Sequence, residues 1–158
     1  MMYKVFISHS TRDQGLVMYL ARLLDKFGVH TSVAEWCLSP GEPIDNKIFN
    51  EIQKSDCVVA LLTRDGIRSN WLQQEIGYSL AHGKLVIPIV EKGTPEADLA
   101  ALEAKEYIEY DPHQYDQALV RLSTYLQSLK LKKQEKEKAL LVVGGLLAFL
   151  LLASGGSK

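Results

Sequence analysis

SDCVVALLTRDGIRSNWLQQEIGYSLAHGK, residues 55–84, opens with an almost unbroken apolar run, Cys57-Val58-Val59-Ala60-Leu61-Leu62. A run of that length and β-branched content suits a strand covered on both faces. Turn and cap chemistry follows in Thr63-Arg64-Asp65-Gly66 and Arg68-Ser69-Asn70, where Ser69 or Asn70 can accept hydrogen bonds from the first free N–H groups of a helix. The spacing predicts that helix from about Trp71 to Ala81.

On a wheel of ~100° per residue, Leu72, Ile76, Ser79, Leu80 and Gly83 share the arc that packs on a sheet. Trp71, Glu75, Tyr78 and His82 form a second, narrower arc beside it. A carboxylate one turn after a tryptophan, near the start of a helix that leaves a strand's carboxyl end, stands where open parallel sheets bind ligands. Spacing alone favours a plain amphipathic helix whose tryptophan caps the core and whose glutamate is solvated. Replacing a solvated glutamate would leave the fold untouched.

Outward from this unit the same alternation recurs. Tyr3 to Ile7 reads as a buried strand, with Ser8-His9-Ser10-Thr11-Arg12-Asp13 as the loop at its carboxyl end. Leu16, Val17, Leu20, Leu23, Leu24 and Phe27 follow helical spacing from Asp13 or Gln14, and Gly28 is a stop. Val29 to Ala34 is a second strand, followed by the Pro/Gly-rich surface loop Glu35-Trp36-Cys37-Leu38-Ser39-Pro40-Gly41-Glu42-Pro43. Asp45 can cap a second helix that buries Ile48 and Ile52. Leu85 to Val90 is a fourth strand, whose Pro88 lacks a ladder N–H and so predicts an edge or a strand end. Tyr107 to Tyr110 reads as a short fifth strand, and His113 to Leu131 as the last helix of the domain. Strands alternating with helices at this spacing give an α/β fold, a parallel sheet with helices on both faces. Its ligand edge holds the loops after the first three strands, and with them His9, Trp36 and the start of the Trp71/Glu75 helix.

The first 130 or so residues have balanced composition, and a net charge of −1 over the chain offers no nucleic-acid footprint. Cys37 and Cys57 lack CxxC spacing and read as free thiols in a reducing compartment. The opening MMYKVFIS is strand-like, so no signal peptide is expected. Ala139 to Ala153, ALLVVGGLLAFLLLA, carries no charge, and Ser154-Gly155-Gly156 extends the uncharged run to 18 residues. At ~1.5 Å per residue that is close to the shortest helix that spans a bilayer. The lysine-rich segment 132–138 precedes it, which favours the cytoplasmic side for the domain. The expected organisation is a domain over 1–131, a juxtamembrane linker over 132–138 and a single membrane helix over 139–156, with an oligomer interface as the other reading of the tail.

No GxxxxGK[ST] or GxGxxG loop is present, no phosphoacceptor Asp ends the third strand, no His pairs at metal-ligand spacing, and no GxSxG elbow occurs. A single carboxylate with an aromatic neighbour remains. Ordinary glycosidases need two carboxylates, because the alcohol leaving group must be protonated. The nicotinamide of NAD+ departs as a neutral base, so one carboxylate suffices to offset the charge growing on the ribose while an indole stacks on a planar ring.

These residues resemble the toll/interleukin-1 receptor (TIR) domain family, especially its prokaryotic NAD+-consuming branch. The resemblance rests on Lys4-Val5-Phe6-Ile7-Ser8-His9-Ser10, Leu38-Ser39-Pro40-Gly41-Glu42-Pro43-Ile44, Ser55 to Thr63, and Ser69-Asn70-Trp71-Leu72-Gln73-Gln74-Glu75. It implies a flavodoxin-like five-stranded parallel sheet with Glu75 as the essential carboxylate. Trp71, Ser8, His9, Ser10 and Trp36 would then line the nucleotide site, with NAD+ as substrate and no separate cofactor or metal. The loop containing Glu35, Leu38, Pro40, Gly41, Glu42 and Pro43 corresponds to the family's assembly loop, which implies stacking with other TIR domains as a homo-oligomer. Prokaryotic relatives imply a role in antiviral defence or cell death. The chain departs from many relatives in placing Ala34 and Glu35 where an Asp ends strand two, and Leu72 where a Cys follows the Trp. Two functions follow: a NAD+ glycohydrolase activated by self-assembly at a membrane, or a non-catalytic adaptor that recruits other TIR domains.

Overall fold

The computed structural model describes residues 2–33, 41, 44–95, 99, 102 and 106–155. The strands are β1 Tyr3–Ser8, β2 Val29–Val33, β3 Cys57–Leu62, β4 Val86–Glu91 and β5 Ile108–Tyr110. The helices are α1 Gln14–Lys26, α2 Ile44–Lys54, α3 Asn70–Ala81 and α4 Asp116–Gly155. All pairings are parallel, in the order β2-β1-β3-β4-β5. The expected α/β architecture is the observed one.

Strand alternation divides the core in two. Val5, Ile7, Val59, Leu61 and Ile89 face one side, where α1 adds Val17, Leu20 and Leu24 and α4 adds Leu119, Leu122 and Leu126. Phe6, Val58, Ala60, Leu62 and Val90 face the other, against Ile48 and Ile52 of α2 and Leu72 and Ile76 of α3. Burying a Leu or Ile fully contributes about 1.5–3 kcal/mol, so the paired layers and not local propensity hold these helices in place. Gly28 stops α1 with φ +72°, and a Cβ there would stand 2.6 Å from Lys130 Nζ. Cys57 is fully buried in β3, and burial pushes its thiol up to about 12. It is expected to take up iodoacetamide only after unfolding, as a mass count on native and denatured protein would read.

Three expectations change. Pro88 is not on an edge strand, because β4 lies between β3 and β5. The Leu85 carbonyl accepts from Val58 N at 2.9 Å, so residue 85 faces β3 and, by alternation, Pro88 faces the β5 side. There β5 begins only opposite Ile89, and the missing N–H falls just ahead of the ladder. Asp45 lies inside the first turn of α2 and is not its cap. Helix α4 does not stop at Leu131 but continues unbroken through the tail to Gly155. Lys133 is bound back to the domain, its Nζ 2.9 Å from Asp56 Oδ1 and 3.2 Å from the Met2 carbonyl. The part of α4 that follows is long and apolar enough to cross a membrane, and none of it is buried against the domain.

Candidate active site

In this strand order the direction of winding reverses between β1 and β3, and the crevice beyond their carboxyl ends is the favoured ligand position. Ser8 ends β1 opposite Ala60 of β3. It shares the parity of Phe6, which turns its side chain toward the layer of α2 and α3.

Helix α3 is fixed at its start by Ser69, whose hydroxyl accepts from Leu72 N at 3.4 Å, and by Gln73 Nε2 donating to the Ile67 carbonyl at 2.7 Å. Ile67 is itself buried in the second core. That anchorage sets the helix so that Leu72, Glu75, Ile76 and Ser79 face inward. Glu75 is 1% exposed, and the Ser8 hydroxyl donates to its Oε2. The solvated-glutamate reading is thereby excluded.

The two outer members of the expected Glu75 arc have another task. Tyr78 stacks on Phe49 of α2 with centroids 3.9 Å apart, and His82 stacks on Tyr78 at 3.9 Å. They join α3 to α2. Trp71, one turn before Glu75, is half-buried against the second core.

The loop after β1 is buried too. His9 Nδ1 donates to the Ser10 carbonyl at 2.6 Å, which fixes that nitrogen as the protonated one. Ser10 caps a 3₁₀ turn over Thr11–Asp13 by accepting from Arg12 N. Asp13 then reaches across the edge: Thr63 Oγ1 donates to its Oδ2 at 2.7 Å and accepts from Gly66 N at 2.9 Å. The loops after β1 and β3 are thus tied together beside the Ser8–Glu75 pair.

Among the cavities lined by described residues, a groove of about 610 Å³ between β4, β5 and α4 lies at the opposite end of the strands from Ser8. A smaller one of about 280 Å³, lined by Asp13, Thr63, Asp65 and Glu91, opens at the carboxyl edge on the α1 side. The candidate centre is chosen by the buried carboxylate and not by cavity size.

The TIR domain family matches residues 5–123. The chain belongs to that family. A curated relative, the 2′ cyclic ADP-D-ribose synthase AbTIR of Acinetobacter baumannii, is 27% identical over 133 residues, covering 81% of this chain and 45% of the relative. This TIR chain therefore spans less than half of that protein's length. Among solved structures, the TIR domain of a Toll-related receptor from Hydra magnipapillata superposes with TM-score 0.58 at 21% identity, covering 68% of this chain and 84% of the other. A CMP N-glycosidase, BcmB, from Clostridium botulinum gives TM-score 0.56 at 19% identity over 77% and 98%. At that identity they establish the shared fold.

Of the expected site residues, this TIR fold brings Ser8 and Glu75 into contact and sets His9 and Ser10 beside them in the same loop. Trp36, Glu35, Leu38, Pro40, Glu42 and Pro43 lie outside the described residues, and Gly41 is an exposed turn residue with φ +83°. Sequence reasoning missed Asp13, Thr63 and Gly66 as a unit. The available signal was the turn glycine after strand three.

A Cβ at Gly66 would stand 2.5 Å from Thr63 Oγ1, 2.7 Å from Asp13 Oδ2 and 2.7 Å from Ser10 Cβ. Gly66→Ala is therefore expected to lower stability by about 1–3 kcal/mol, read as a reduced urea midpoint at unchanged slope. Asp13 carries a second test. Burial raises its carboxyl above the ordinary value, against the lowering from the Thr63 hydroxyl and His9. An acid raised by folding holds its proton more tightly when folded, so its ionisation weakens the fold. That penalty is absent below the unfolded value near ~3.9 and complete above the raised folded one. Asp13→Asn is expected to keep or raise Tm at neutral pH, with the gain vanishing toward ~pH 3.

Proposed function

We propose that this chain cleaves the bond between nicotinamide and ribose in NAD+, with Glu75 as the catalytic carboxylate. The observation that carries the reading is a buried acid held by Ser8 at the carboxyl edge of the sheet, beside the β1/β3 crevice. A carboxylate there stabilises positive charge developing on the ribose as nicotinamide leaves as a neutral base, and low exposure strengthens that interaction. The C1′–N bond breaks with its electron pair going to nicotinamide. Water then adds at C1′ and loses a proton to give ADP-ribose, or a hydroxyl of the same molecule adds at C1′ and loses its proton to give a cyclic product. The name of the Acinetobacter relative, a cyclic ADP-ribose synthase, supports the second outcome. His9, Ser10, Trp71 and Trp36 line the substrate in this reading, and NAD+ is consumed without a resident cofactor. Self-assembly through the loop 35–43, a membrane anchor over 139–156 with the domain on the cytoplasmic side, and a role in defence or cell death complete the proposal.

Ser8 acts here through Glu75. Ser8→Ala removes the hydroxyl that donates to Glu75, so kcat is expected to fall about tenfold with KM unchanged. Ser8→Thr, which retains the hydroxyl, restores kcat. An unchanged kcat in Ser8→Ala would leave Ser8 a packing residue. The function itself is tested by nicotinamide release from the full chain clustered on vesicles. No release at any surface density would leave the adaptor.

A further inference from the structure

Helix α4 runs antiparallel to the strands. It starts beside Tyr110, the end of β5, and reaches the opposite edge, where Lys130 Nζ donates to the Gly28 carbonyl at 3.1 Å and Lys133 holds Asp56. Asp56 is also bound by Lys4 N at 2.7 Å, which ties the starts of β1 and β3 to the helix. The apolar segment therefore leaves the domain from the edge where the strands begin. From Lys133 to Ala139 is six residues of unbroken helix, or ~9 Å. A headgroup layer is ~6 Å thick on each side of the hydrocarbon core. So short a rigid connection leaves the strand-start edge no room to stand clear of the headgroups.

That edge is basic. Lys4 follows Tyr3 at the start of β1, Lys26 ends α1 and Lys54 ends α2 with its Nζ 4.0 Å from Glu51 Oε1, all three lysines exposed, while Lys84 spans the end of α2 by donating to the Gln53 and Ser55 carbonyls at 2.7 and 2.6 Å. With the five lysines of 130–138 the edge and its helix hold nine lysines against six acids, Asp25, Glu51, Asp56, Glu106, Glu135 and Glu137, in a chain whose net charge is −1. Asp56 is already occupied by Lys133.

We infer that the strand-start face, through Lys4, Lys26 and Lys54, seats on an anionic lipid surface, with α4 as a strut that holds the Ser8–Glu75 edge outward. The inference rests on the reading of 139–156 as a membrane helix. Six-residue strands rise ~20 Å, so the site stands about that far above the seat, facing away from the bilayer. Seating fixes every copy in one orientation on the membrane.

The test uses the full chain in vesicles of phosphatidylcholine alone or with phosphatidylserine, and reads amine acetylation by mass spectrometry. Lys92, exposed just past the end of β4 on the opposite edge, is the internal control. Seating predicts that phosphatidylserine slows acetylation of Lys4, Lys26 and Lys54 about fivefold and leaves Lys92 unchanged. Equal acetylation of all four in vesicles from which alkaline carbonate does not extract the chain overturns the seat and spares the anchor. Extraction by carbonate overturns both.

Discussion

Glu75→Gln is expected to lower nicotinamide release by about 10²–10³-fold while leaving the fold unchanged. The amide is isosteric and its carbonyl still accepts from Ser8, but it carries no charge to set against the one growing on ribose. The loss should fall on kcat and not on KM, because that charge exists only as the bond breaks. Glu75→Ala is the less informative variant. The side chain is 1% exposed, so truncation leaves a buried Ser8 hydroxyl without its acceptor and is expected to cost about 1–3 kcal/mol of stability. Activity lost in the alanine variant would mix chemistry with folding. Full turnover in the glutamine variant would remove Glu75 from the mechanism.

Ending the chain after Lys138 is expected to move it from the carbonate-resistant membrane fraction to the soluble one. The cut removes every residue of the apolar run yet keeps Lys130 and Lys133, and with them the contacts of α4 to Gly28 and Asp56. The domain should therefore keep its Tm. At equal total protein, NAD+ cleavage should fall with the loss of crowding in two dimensions and return when the truncated chain is tethered to vesicles by an engineered tag. A truncated chain that still pellets with membranes would place the anchor elsewhere. One that stays soluble and fully active when dilute would separate cleavage from clustering.

The sheet was legible because buried parallel strands declare themselves as short apolar runs. Cys57–Leu62 and its flanking turn were read correctly, and of the two cap residues left open, Ser69 and Asn70, the structure uses Ser69. Pro88 misled because a proline rule speaks of one strand, whereas its cost depends on where the neighbouring strand begins. The end of α4 was misplaced at Leu131 because a change from amphipathic to lysine-rich to apolar sequence looks like a boundary. Each of those compositions is helical, and nothing in 132–138 breaks a helix.

At the candidate site, the spacing of Trp71 and Glu75 singled out one turn of helix and left open which way the acid faced. A wheel gives angles between residues and no absolute direction. The direction came from Ser69, Gln73 and Ile67 clamping the helix start, and from Ser8 waiting at the end of β1. The bridge from Asp13 to Thr63 was out of reach, since it joins residues fifty positions apart through a turn whose glycine matters for closeness and not for φ.

In the proposed reaction the buried carboxylate meets the nicotinamide ribose. That contact is tested most directly by ¹³C NMR of the Glu75 side-chain carboxyl, assigned by its disappearance in Glu75→Gln, during titration with a carbocyclic NAD+ analogue that cannot be cleaved. This resonance is expected to move in saturable fashion with the analogue and to move less with nicotinamide-free ADP-ribose. Saturable binding seen elsewhere in the spectrum while the Glu75 resonance stays fixed would contradict it.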